Sequence, residues 1–106
     1  MSANRRMVAQ AVGTVAFGSV AVGYGTLQGP IAGRGVCLLI ANSLNAGIVI
    51  SLDGGTTDFL RLPASTSFTI DLSANGVEFS GTVSIKQDGA GAPSSGFISC
   101  GVIRVN

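Results

Sequence analysis

Apolar and polar residues alternate along much of this chain with a period of two, the spacing that puts successive side chains on opposite faces of a β-strand. Residues 47–53 place Ile48, Ile50 and Leu52 on one face and Val49, Ser51 and Asp53 on the other. Residues 67–72 turn Phe68, Ile70 and Leu72 inward and Ser67, Thr69 and Asp71 outward, and residues 81–87 turn Val83 and Ile85 inward and Ser84 and Lys86 outward. Residues 35–42 are a nearly continuous apolar run, which predicts a central strand buried on both faces. Residues 58–62 form a short strand closed by Pro63, which cannot donate to a ladder, and residues 96–105 form the last strand.

The N-terminal part is rich in Ala, Val, Gly and Thr. It carries no helix cap, and Gly13, Gly18 and Gly23 among β-branched neighbours favour strands over helix, one across 7–17 and a second across 19–28. Turn signals fall between the strands: Gly29-Pro30 within 29–33, residues 42–45, residues 73–76 ending in Asn75-Gly76, and the Gly- and Ser-rich stretch 88–95. Residues 77–80 read as a short edge or connecting segment. The strongest turn signal is Asp53-Gly54-Gly55 between two apolar runs, because tight hairpin turns need positive φ and glycine supplies it without steric cost.

Short strands at intervals of about 8–12 residues, each pair separated by a turn, are the pattern of a sandwich or small barrel rather than of βαβ units. The predicted fold is all-β: about eight short antiparallel strands in a two-sheet β-sandwich, jelly-roll-like or Ig-like, with an extended N-terminal strand or arm. The length of 106 residues makes one domain. Residues 1–6 are a flexible, polar, basic tip. Residues 7–106 form the sandwich, with 7–28 as an arm or as a strand swapped between protomers.

Composition then adds a constraint. Only 10% of residues are charged, while 46% are apolar and the mean hydropathy is +0.55; an ordinary soluble domain carries about a quarter charged residues. A chain this short cannot cover itself with ions, so its surface is either Gly, Ser, Thr and Asn or is buried against other subunits. The second reading is the one adopted: a homo-oligomer in an assembly, with Val8, Val12, Val15, Phe17 and Tyr24 as candidate subunit contacts. The net charge of +1, one basic doublet (Arg5-Arg6) and a single lysine (Lys86) argue against a nucleic-acid surface. The run 7–17 imitates a secretory leader, but Gln10, Gly13 and Thr14 interrupt it and it has no Leu or Ile, so neither a cleaved leader nor a membrane span is expected. Cys37 and Cys100 each sit in an apolar run; they read as small buried hydrophobes, with a disulfide between the third and last strands as the alternative.

Little here does chemistry. The absence of histidine removes every Ser-His or Cys-His pair, so no enzyme, no catalytic residues and no cofactor are expected. Asp53 and Asp58 flank a glycine-rich loop, but the acidic spacing of a calcium loop is missing; the expectation is no metal, with aspartate accepting backbone hydrogen bonds in a turn. With one tyrosine and no tryptophan, Phe17 and Tyr24 do not make a stacking platform.

One set of motifs, taken in order, resembles a known kind of protein. Residues 41–72, Ala-Asn-Ser-Leu-Asn-Ala-Gly-Ile-Val-Ile-Ser-Leu-Asp-Gly-Gly followed by a Leu62-Pro63-Ala64 turn and a strand ending in Asp71-Leu72, are similar to small virion proteins of tailed bacteriophages. Val83-Ser-Ile-Lys-Gln87 and the Pro93-Ser-Ser-Gly96 turn continue the match, so that it spans about residues 36–105. The resemblance implies an all-β structural component of the particle, assembled in the host cytoplasm. Its expected role is a capsid cement or decoration protein that binds the major capsid protein and itself as a homo-oligomer, a trimer being one form. A head–tail connector, collar or tail protein is the alternative, and a secreted β-sandwich binding or adhesion module is a further one.

Overall fold

The computed structural model describes residues 7–31, 34–71, 81–89 and 91–105. They form nine antiparallel strands in two sheets packed as a sandwich, as the alternation predicts. The strands are β1 (Met7–Ala9), β2 (Gly13–Ala16), β3 (Gly25–Gln28), β4 (Arg34–Asn42), β5 (Ile48–Ser51), β6 (Leu60–Leu62), β7 (Thr66–Asp71), β8 (Val83–Gln87) and β9 (Phe97–Val105). The five-stranded sheet runs β1-β9-β4-β7, with β2 pairing the same edge of β9 as β1; the four-stranded sheet runs β3-β8-β5-β6. The expected turn at 73–76 and segment at 77–80 lie outside the described residues, as does the basic tip.

The inward residues of both sheets interdigitate into one core. Leu38, Ile40, Leu44, Ile48, Ile50, Ile98 and Cys100 are fully buried, with Val83, Ile85 and Val102 nearly so. Each aliphatic side chain of this kind contributes about 1.5–3 kcal/mol by leaving water.

Three expectations change. The N-terminal strand is broken: β1 and β2 flank Gln10–Val12, and both lie along the chain's own β9. The backbone comes so close at Gly13 that a Cβ there would run into the Leu27 carbonyl. The second strand shortens to Gly25–Gln28, because Phe17–Ser19 form a single 3₁₀ turn and Val20 drops into the core. The third change concerns β4, which is central, as predicted, between β9 and β7. It is not buried on both faces: Leu38 and Ile40 point into the core, whereas Leu39 points out and is 46% exposed. A two-layer sandwich covers one face of each sheet, and nothing among the described residues covers this second one.

Asn42 locks one end of the sandwich. Its Nδ2 donates to the carbonyls of Ala46 (3.2 Å), Leu62 (3.3 Å) and Pro63 (3.0 Å), and its Oδ1 accepts from the Leu44 amide at 3.0 Å. The side chain is buried, so it satisfies backbone groups that water cannot reach where the chain passes from β4 to the other sheet. At the same end Gly96 has φ +92° with the Ser43 carbonyl against it, leaving no room for a Cβ. Asn42→Ala should lower the unfolding free energy by about 2–3 kcal/mol through unsatisfied buried groups, measured as a fall in urea midpoint at constant m-value.

Candidate interaction surface

The charged side chains divide unequally between the two outer faces. On the four-stranded sheet, Arg61 pairs with the buried carboxylate of Asp88 at 2.7 Å, and Lys86 with Asp58 at 3.3 Å. Lys86 also lies 4.6 Å from the centre of the Tyr24 ring, whose hydroxyl donates to Asp58. Burial, with the Asp58 carboxylate alongside, pushes the Tyr24 hydroxyl up to about 12, and the same hydrogen bond, aided by Lys86, holds Asp58 below the usual carboxylate range.

The Asp-Gly-Gly segment is a loop of residues 52–59 rather than a tight turn, and it folds back over this face. Gly54 and Gly55 have φ +76° and +101°, as the turn chemistry requires, and Gly55 packs on the Tyr24 ring. Asp53 Oδ1 accepts the hydroxyl of Ser51 (2.6 Å) and the amides of Thr56 (3.1 Å) and Thr57 (2.9 Å), while Ser51 Oγ accepts the Gly55 amide at 2.9 Å. This explains why Ser51 and Ser84, outward residues by register, are nonetheless buried. Asp53 and Asp58 are therefore engaged in holding the loop. A shallow cleft of about 300 Å³ beside them is lined by Leu52, Asp53, Thr57, Asp58 and Phe59. Phe59 is braced edge-on by Phe68, ring centres 5.8 Å apart. A second open hollow, of about 330 Å³, is lined by the hydroxyl-bearing Ser43, Ser65, Thr66 and Ser67 with Ala41 and Asn42, and it holds no charged group.

The outer face of the five-stranded sheet is different in kind. Its outward rows, read across β9, β4 and β7, are Ile103, Cys37, Asp71; then Gly101, Leu39, Thr69; then Ser99, Ala41, Ser67. On the far side of β9 they continue into Ala9 beside Ile103 and Thr14 beside Ser99. Asp71, at one corner, is the single charge among these described positions. In the middle lies an apolar groove of about 290 Å³ lined by Ala9, Val12, Cys37, Leu39, Thr69, Gly101 and Ile103, with Gln10 and Val102 at its floor. Val12 is 66% exposed and Ile103 38%.

Of the five contact residues expected from sequence, Val12 lines this groove. Val8 is half-buried on β1, and Val15 packs against the core. Phe17 stands exposed on the 3₁₀ turn, and Tyr24 belongs to the opposite face with Asp58 and Lys86. Leu39, Gly101 and Ile103 were not anticipated. The signal was present in the unbroken apolar run of β4, whose outward members Cys37, Leu39 and Ala41 include no charged or hydrogen-bonding residue.

The two cysteines are free. Cys37 faces the groove and Cys100 the core, on opposite faces of one sheet, so the bridge between them is not formed. Burial pushes the Cys100 thiol up to about 12. Compared with models of known protein families and with curated proteins, the chain matches none.

Two outcomes follow. Asp53 is held down to about 2 by its hydrogen-bond donors, Ser51 first, against an ordinary value of 3.8. A depressed carboxylate contributes stability above its unfolded value and loses it as pH falls through the folded one. Amide exchange at Thr56 and Thr57 should therefore accelerate between about pH 4 and pH 2 beyond its intrinsic pH trend, and Asp53→Asn should remove that extra acceleration. Native protein should take up one equivalent of iodoacetamide, at Cys37, and a second, at Cys100, only in denaturant, read by intact mass.

Proposed function

We propose that this chain is a structural subunit that works by packing, and that the outer face of its five-stranded sheet is the packing surface. The observation that carries the reading is Leu39, a large aliphatic side chain 46% exposed at the centre of a central strand, within a groove lined by Val12, Ile103 and Thr69. A bare apolar surface of this kind costs solubility and contributes nothing to the chain's own core, so it is accounted for by a partner. The partition of charge supports the same reading: the Arg61–Asp88 and Lys86–Asp58 pairs lie on the face capped by the 52–59 loop, whereas the groove on the other face is lined by no charged residue and Asp71 stands at its corner.

The particle is assigned from the resemblance of residues 41–72, 83–87 and 93–96 to virion proteins of tailed phages. The specific proposal is a capsid cement protein that stabilises the major capsid shell. A connector, collar or tail position makes the same demand on the surface and differs in copy number. The secreted-adhesin alternative has less support, because Cys37 and Cys100 do not bridge and Tyr24, the single tyrosine, is engaged by Asp58 and Lys86.

Quantitative mass spectrometry of purified particles tests the proposal. A cement protein should appear in a fixed ratio close to that of the major capsid protein, and a neck or tail protein at a few copies per particle; absence from particles would overturn the virion reading. Leu39→Asp, which leaves the core untouched, should lower particle occupancy at least tenfold while the thermal midpoint of the isolated chain changes little.

A further inference from the structure

The outer face has a pattern that specifies what covers it. Across the β4–β9 ladder, the two central outward pairs each join a large and a small side chain, Leu39 opposite Gly101 and Ile103 opposite Cys37, while Ser99 and Ala41 are near equals and Arg34 opposite Val105 ends the ladder. The Gly101 position is an opening, since a Cβ there would meet nothing within 4 Å. Leu39, the exposed knob, stands beside it in register. Consider a two-fold axis lying in the interface, parallel to the strands and midway between β4 and β9. Rotation about it exchanges the two columns of each row. Leu39 of each copy then lies over Gly101 of the other, Ile103 over Cys37, and Ala41 over Ser99. Both central contacts set a large side chain on a small one.

The flanking columns agree. The same rotation carries Thr69 towards the Val12 side of the partner, sets the Ser67 hydroxyl over Thr14, and places Asp71 over Ala9. The two Asp71 carboxylates come to opposite sides of the same row, three strand spacings or about 14 Å apart, so they do not face each other. Aligned sheet packings cross at about 30°, so the match is closest at Leu39 and Gly101 and relaxes outward.

We infer that the outer face of the five-stranded sheet is the interface for a second copy of this chain, an isologous dimer in which Leu39 of each protomer seats in the Gly101 groove of the other. The inference rests on the reading of this face as a packing surface and commits its occupant. An isologous contact closes at two copies, so any larger homo-oligomer needs another face. Four strands at about 4.8 Å spacing and about seven residues at about 3.3 Å give a footprint near 450 Å² per copy. The total of about 900 Å² lies below the usual range for stable complexes, so the free dimer is reversible and weak, and it gains strength where a particle holds many copies close.

The test is sedimentation equilibrium of the full chain over a wide concentration range, with an exchange of knob and hole. The parent should show a monomer–dimer equilibrium. Gly101→Leu, which opposes two knobs, and Leu39→Ala, which leaves none, should each raise the dissociation constant at least tenfold. The double variant L39A/G101L moves the knob from β4 to β9 and should recover to within about threefold of the parent. Thermal midpoints and circular dichroism show whether each variant is folded. As a second reading on the parent alone, Cys37 alkylation should slow as protein concentration rises. A parent that stays monomeric, or a Gly101→Leu variant that dimerises as tightly as the parent, would overturn the pairing. So would a double variant no better than the singles. A monomeric parent that still binds particles through Leu39 would overturn the second-copy occupant in favour of another virion protein and leave the packing function standing. A dimer with the expected variant behaviour but absent from particles would uphold the pairing and remove the virion assignment.

Discussion

The register of β4 against β9 is the constraint on which the rest depends. The two strands pair from Arg34 opposite Val105 to Asn42 opposite Ile98, with one bulge between Gly35 and Cys37. That register turns Leu38, Ile40, Cys100 and Val102 into the core. By the same alternation it turns Leu39, Gly101, Cys37 and Ile103 outward, because a strand cannot hide one face without presenting the other. The core and the bare groove are thus two faces of one ladder. A slip of one residue would turn one of the two strands over, bringing Gly101 or Cys37 inside, and would break both faces.

Around that ladder the chain treats its two outer faces in opposite ways. The four-stranded sheet is finished within the chain. The 52–59 loop folds over it, organised by Asp53 and Ser51, and Tyr24, Asp58 and Lys86 hold the loop against the sheet. Asp53, Asp58, Lys86 and the Arg61–Asp88 pair, five of the chain's eleven charged residues, lie on that side. Among the described residues nothing covers the five-stranded sheet in this way, and its central outward residues are Leu, Gly, Cys, Ile, Ala, Ser and Thr. The low charge of a domain of 106 residues is thus unevenly placed: the ion pairs lie on one outer face, and the central groove of the other is lined by no charged residue.

The fold was legible because strand alternation is local. The inward residues of β5 and β8, Ile48, Ile50, Val83 and Ile85, are the ones the pattern names, and Gly54 and Gly55 take the positive φ that the turn chemistry demands. What was not legible depends on contacts distant in sequence. The apolar run of β4 shows that neither face of the strand is polar; it does not show that no other described element covers the second face. Burial of Ser51 and Ser84 is invisible to alternation because a loop, not a sheet, covers them. Val12 and Val15 look alike in composition, yet they are three residues apart, so Val15 meets the core and Val12 the groove. Asn42 reads as a turn residue, and two of its three carbonyl partners, Leu62 and Pro63, appear only when β6 is brought beside it.

The central claim is that the outer face encoded by the β4–β9 register is a self-complementary surface. Isotope-filtered nuclear Overhauser spectroscopy on a mixture of labelled and unlabelled protein tests it most directly, because only contacts between copies survive the filter. The account predicts cross-peaks from the Leu39 methyls to the Gly101 α-protons, and from the Ile103 methyls to the Cys37 β-protons. Intermolecular peaks confined to the Tyr24 face, or none at concentrations where the protein sediments as a dimer, would contradict it.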